Sequence, residues 1–247
     1  MKQNIYNDIS IYETTYADGN QIRIYEIDGG WHSATYIKKE LRNELIFEYM
    51  KIASRVFSIQ NIQSMCMIGG GTYSFAKYAI SHYPNLLLDV CEIDEMSIQV
   101  AKDYFYLDEL QDDNRLTVFI EDGRDYLENC HTTYDCIFND AFVGIDPVLK
   151  LLTKEFVEVI HLRLNKNGIY VANLPGLVDI KKSKLLLNAI KTLQTAFQYV
   201  YLISARSEYS GNRNSNYVVF ASDMALSFPD ALSFDIQKAN VLLDSSI

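Results

Sequence analysis

Between Met65 and Ala221 the apolar positions fall into short, near-continuous runs separated by amphipathic stretches. The runs are Met65–Ile68, Leu86–Cys91, Leu116–Ile120, Tyr134–Asn139 and Gly168–Asn173. Such runs are expected of strands covered on both faces. Between them the spacing predicts helices over Phe75–Ser81, Met96–Tyr104, Asp125–Asn129, Lys154–Leu164 and Ile180–Ala196. Strands alternating with helices imply parallel β-α-β units with right-handed crossovers, hence a doubly wound α/β sheet. Two last strands, Tyr199–Ser204 and Asn216–Ala221, are joined by a polar loop, Glu208 to Asn214, and read as an antiparallel hairpin.

The first part of the chain has a different pattern. Ile11–Tyr16, Gln21–Ile27 and Ala34–Ile37 are β-rich, with the turn tripeptides Asp18-Gly19-Asn20 and Asp28-Gly29-Gly30 between them. From Asn43 to Phe57, Leu45, Tyr49, Ile52 and Val56 recur at helical spacing. The division expected is a small β unit with a linking helix over residues 1–58, then a nucleotide-binding domain over 59–247.

Composition narrows the classes. With 49% apolar and 22% charged residues, the 247-residue chain has enough to build a core. A net charge of −10 argues against nucleic-acid binding by phosphate neutralisation and tolerates a cationic small substrate. Cys66, Cys91, Cys130 and Cys136 have no CxxC spacing and read as reduced thiols. His32, His82, His131 and His161 show no metal-ligand spacing, so no metal is expected. The opening residues lack the apolar segment of a signal peptide, and no run is long enough to span a membrane. The expectation is a cytoplasmic protein.

In doubly wound sheets ligands bind beyond the carboxyl ends of strands, and four strand ends here carry polar signatures. Gly69-Gly70-Gly71 lets the backbone turn tightly and approach a ligand, or is simply a tight turn. Glu92 can accept from both hydroxyls of a ribose, or is a solvated strand end. Asp122 can accept from an adenine amino group with Gly123 making room for the ring, or the pair is a plain turn. Asp140 can orient or deprotonate an amine nucleophile, or cap the next segment. Tyr49, Tyr73 and Phe142 can wall a pocket for a sulfonium by cation–π contact, or pack in the core.

Taken in order, MIGGG (67–71), VCEID (90–94), EDGRDYL (121–127), YDCIFNDAF (134–142) and LLTKEFVEVIHLRLNKNGIYVAN (151–173) resemble the spermidine synthase family. The turn Ile27-Asp28-Gly29 is similar to the LDG turn of that family's small β domain, so the likeness runs over nearly the whole chain. General class I methyltransferases share the Rossmann-like fold but usually carry an acid two residues before the first glycine, where this chain has Met67.

The resemblance implies a site for S-adenosylmethionine or its decarboxylated form as co-substrate. Gly69 to Gly71 would line the nucleotide, Glu92 the ribose and Asp122 the adenine amine, with Asp140 near the sulfonium and the acceptor amine. It also implies a homodimer. The chain departs from the family pattern at Thr72, where an acid normally holds the aminopropyl amine, at Val143, where a second acid normally stands, and at His32, where a glutamine follows the turn. Three functions follow: aminopropyl transfer to a small amine such as putrescine, methyl transfer from S-adenosylmethionine to a small molecule, or a non-catalytic nucleotide-binding or scaffold protein.

Overall fold

The computed structural model describes residues 9–144, 146–205 and 214–247, so the loop expected from Glu208 lies almost wholly outside the described residues. The chain opens with three antiparallel strands, β1 (Ile9–Thr15), β2 (Gln21–Ile27) and β3 (Gly30–Tyr36), in the order β1-β2-β3. Two short helices follow, α1 (Glu48–Ala53) and α2 (Val56–Ile59). The alternating part contains β4 (Ser64–Ile68), α3 (Ser74–His82), β5 (Leu87–Cys91), α4 (Glu95–Tyr104), β6 (Leu116–Phe119), α5 (Gly123–Asn129) and β7 (Tyr134–Asn139). A two-residue ribbon, β8 (Phe142–Val143) with β9 (Asp146–Pro147), leads to α6 (Lys154–Arg163), β10 (Leu164–Leu177), α7 (Lys184–Leu193), β11 (Tyr199–Ala205) and β12 (Asn214–Ser222).

Seven strands form one sheet in the order β11-β12-β10-β7-β4-β5-β6. From β10 to β6 every pairing is parallel, and β12 runs antiparallel between β10 and β11. This is the doubly wound sheet with a C-terminal antiparallel hairpin that the sequence predicts. The strand order reverses direction at β4, whose neighbours are β5 and β7. Alternation along β4 divides the core. Met65 and Met67 face a cluster built with α1, α2, α3 and α4, whereas Cys66 and Ile68 face one built with α5, α6 and α7. Helices therefore cover both faces, and β4 and β7 are almost wholly buried, as their apolar runs require, whereas the edge strand β6 is only partly buried and Leu87 of β5 is exposed.

The three-stranded sheet is fastened to this body near the end of β4. Tyr25 and Ile27 pack on Phe105, just past α4. The Thr72 N–H donates to Ser33 Oγ, and Ser74 Oγ donates to the Ala34 carbonyl. Lys77, fully buried in α3, donates to the Phe105 carbonyl at 2.5 Å and to Thr35 Oγ1 at 3.3 Å. Burial lowers its amine to about 7.

Two predicted helices are shorter than their spacing suggests. Residues 43–47 are not helical, because Leu45 packs in the main core while Ile46 packs under β2 and β3, and a turn leading into irregular backbone reaches both. The helix expected from Ile180 is broken at Ser183. There the Ser183 hydroxyl accepts the Leu177 N–H at 2.7 Å, and its backbone leaves the helical region. Among the described residues, no helix is long and apolar enough to cross a membrane.

Candidate active site

The carboxyl ends of β6, β5, β4, β7 and β10 open side by side into a cavity of about 320 Å³, roofed by β2, β3 and α1. Across the floor, in sheet order, stand Asp122, Glu92, the three glycines, Asp140 and Asn173. The four strand-end signatures thus converge at the reversal of strand order, as the fold requires.

The glycine run is held from two sides. Gly69 has φ +88°, and a Cβ there would lie 2.7 Å from the Asp140 carbonyl oxygen, so only glycine lets β4 turn this close to the end of β7. Gly70 and Gly71 donate their N–H groups to Glu92 Oε2 at 2.9 and 3.1 Å, and Asp94 donates its own to Oε1 at 2.9 Å. Glu92 is buried, and burial raises its carboxyl against the opposing pull of these three donors. Glu92 therefore fixes the loop, and a ribose would meet the lone pairs that remain.

Asp122 caps α5 by accepting the Arg124 N–H at 2.9 Å, while its other oxygen is paired with Lys150 Nζ. Burial pushes its carboxyl up, but the Lys150 ammonium and the backbone donors more than offset this, holding it below its ordinary value. Gly123 has a packing reason of its own, since a Cβ would fall 2.3 Å from Ile68 Cγ2, so α5 rests directly on the last residue of β4.

Asp140 lines the cavity and is only partly exposed to it. Its Oδ2 accepts from the Tyr49 hydroxyl at 3.2 Å and its Oδ1 from Asn173 Nδ2 at 2.8 Å. Burial raises its pKa from 3.8 to about 7, outweighing both hydrogen bonds. Tyr49 is pushed well up by burial and by the Asp140 charge, so its hydroxyl stays a donor. Asn173 leaves its own Oδ1 buried and unpaired, an arrangement that commits the side chain to orienting Asp140.

Tyr49 and Phe142 line the cavity, and Tyr73 does not. Tyr73 has φ +61°, immediately before α3, and its ring lies against Gly70 in the core with the hydroxyl buried and unpaired. The left-handed turn swings the ring out of the cavity wall. The sequence reading missed Asn173 and Lys150 and did not place Trp31 or His32 in the site. Asn173 shares the strand-end signal of the other four. Lys150 reaches Asp122 from a separate turn and has no local signature.

The Asp140 proton has a stability consequence. Between pH 4 and 7 the folded chain keeps a proton that the unfolded chain releases, so stability falls as pH rises through that window. In thermal melts, Asp140→Asn is expected to match the parent near pH 4 and to exceed it by on the order of a few kcal/mol near pH 8. A constant difference across pH would contradict the assigned protonation.

Comparison with known proteins extends this geometry. The Spermine/spermidine synthase domain matches residues 46–225. Spermidine synthase 2 of Arabidopsis thaliana is 29% identical over 167 residues, covering 66% of this chain and 46% of that protein. The polyamine aminopropyltransferase of Streptococcus uberis is 35% identical over 114 residues, 45% of this chain and 39% of its own length. The matched segments thus span less than half of either relative. In fold, the chain is similar to a probable spermidine synthase from Corynebacterium glutamicum, with a TM-score of 0.72 at 23% identity over 89% of this chain and 80% of that one. It is also similar to human methyltransferase-like protein 13, solved with SAH, with a TM-score of 0.54 at 20% identity over 75% and 81% of the two chains. The domain match covers every element from α1 to β12, including all four strand-end signatures, and the chain belongs to the spermine/spermidine synthase domain family.

Proposed function

We propose that this chain is a transferase that moves the aminopropyl group of decarboxylated S-adenosylmethionine onto a small amine. The observation that carries this reading is the charge of the cavity. Its described lining holds five carboxylates, Glu92, Asp94, Glu121, Asp122 and Asp140, and no lysine or arginine; Lys150, beside the lining, pairs with Asp122 and leaves the other four without a basic partner among the described lining residues. His32 in the same wall is held below its ordinary pKa by burial and adds no cation at neutral pH. A field of this sign favours a donor carrying a sulfonium and an ammonium over one that adds a carboxylate. Family membership supports the same chemistry.

The nucleotide would lie over Glu92 and Asp122 along Gly69 to Gly71, which places its sulfonium toward Asp140. Transfer is a displacement at the carbon bound to sulfur. The amine nitrogen forms the new C–N bond, the C–S bond breaks, and its electron pair leaves on a neutral thioether. The nitrogen sheds one proton, which Asp140 accepts, with Tyr49 and Asn173 fixing the carboxylate. A base near pH 7 suits this step, and kcat/KM should rise with pH as Asp140 ionises. The N-terminal three-stranded sheet is the proposed seat of a two-fold homodimer, and a monomer by light scattering at micromolar concentration would count against that.

Calorimetric titration with S-adenosylmethionine, its decarboxylated form and methylthioadenosine tests the reading. Tighter binding of the decarboxylated form is expected, by about tenfold or more. Preference for the carboxylated form would favour methyl transfer instead.

A further inference from the structure

We propose that the acceptor is a monoamine with an apolar tail rather than a diamine, an inference that rests on the aminopropyl reading above. The carboxylates of the cavity are segregated. Four of the five lie at the ends of β5 and β6, where the nucleotide would sit. Asp140 is the sole carboxylate among the described lining residues on the other side, where β7, β10 and the N-terminal sheet meet.

The rest of that wall is apolar or neutral. Phe142 and Val143 form β8, and Val143 is 53% exposed. Pro175 lies on β10. Trp31 donates its indole N–H to Tyr12 at 2.9 Å, away from any acceptor of charge in the wall, so the ring is what it contributes. His32 is neutral at pH 7. Thr72 is fully buried against Ser33 and Ser74 and contributes nothing to the lining. The Asn173 amide is already committed to Asp140.

One amino group can be served by this arrangement, at Asp140. A second ammonium on the same acceptor would be stripped of water against Phe142, Val143 and Pro175 with no further carboxylate among the described lining residues to receive it, which is strongly unfavourable. A methyl group in its place gains from the same surface, by about fourfold per buried methylene.

Putrescine and n-pentylamine make an isosteric pair, differing by an amino group against a methyl group at the far end. Methylthioadenosine release from decarboxylated S-adenosylmethionine is measured with each, in the parent and in Val143→Asp. The parent is expected to favour pentylamine in kcat/KM by about tenfold or more, and Val143→Asp to narrow or reverse that preference. Equal or better turnover of putrescine by the parent overturns the inference and leaves aminopropyl transfer standing. A preference unmoved by Val143→Asp removes this wall as the tail site. No release with either amine, while methylthioadenosine still binds, overturns the aminopropyl reading and the inference with it.

Discussion

Asp140→Asn is expected to slow aminopropyl transfer by about 10²–10⁴, the range for loss of a general base. The amide keeps the shape of the carboxylate and one acceptor oxygen, so Tyr49 can still be held. It cannot take a proton from the acceptor nitrogen. Affinity for methylthioadenosine should change little, because on the proposed reading Glu92 and Asp122 would hold the other end of the ligand. The same substitution should flatten the pH dependence of kcat/KM near pH 7, where Asp140 titrates. Activity that survives with its pH profile intact would remove Asp140 from the proton transfer.

Glu92→Ala is expected to weaken nucleotide binding by at least about 1–3 kcal/mol, the value of charge-assisted hydrogen bonds lost directly. The structure adds a second loss. Three backbone N–H groups, of Gly70, Gly71 and Asp94, lose their shared acceptor, and the glycine run loses the anchor that shapes it. Glu92→Gln separates the two roles poorly by design, since one of its two terminal groups must then present N–H to N–H. It should bind nearly as weakly as the alanine variant. Calorimetry with methylthioadenosine checks both variants, and unchanged affinity in either would contradict the anchoring role.

Much of this site is legible in the sequence for one physical reason. Strands buried on both faces are apolar runs, so the acid that ends each run marks where the chain leaves the sheet. Glu92, Asp122 and Asp140 were found that way, and all three line one cavity. Asn173 escaped because it closes its apolar run with an amide rather than an acid, and its part in the site rests on the hydrogen bond to Asp140. Tyr49 and Tyr73 are the same residue type, and Tyr73 is by far the nearer to the glycines along the chain, yet Tyr49 is the one that lines the cavity. Their fates divide on one backbone angle, the positive φ of Tyr73. The non-helical stretch at 43–47 is hidden by helical spacing, because Leu45 and Ile46 serve two different cores rather than one helix face. Lys150 could not be found at all, as its pairing with Asp122 depends on how the turn before α6 folds back.

On the proposed reading, the acidic cavity serves transfer of an aminopropyl group, with Asp140 as base. The most direct measurement is mass spectrometry of the acceptor after incubation with the protein and each donor, S-adenosylmethionine or its decarboxylated form. An amine that has gained one aminopropyl group, with an equal amount of methylthioadenosine, is expected from the decarboxylated donor alone and not in Asp140→Asn. A methylated acceptor formed from S-adenosylmethionine would contradict that reading.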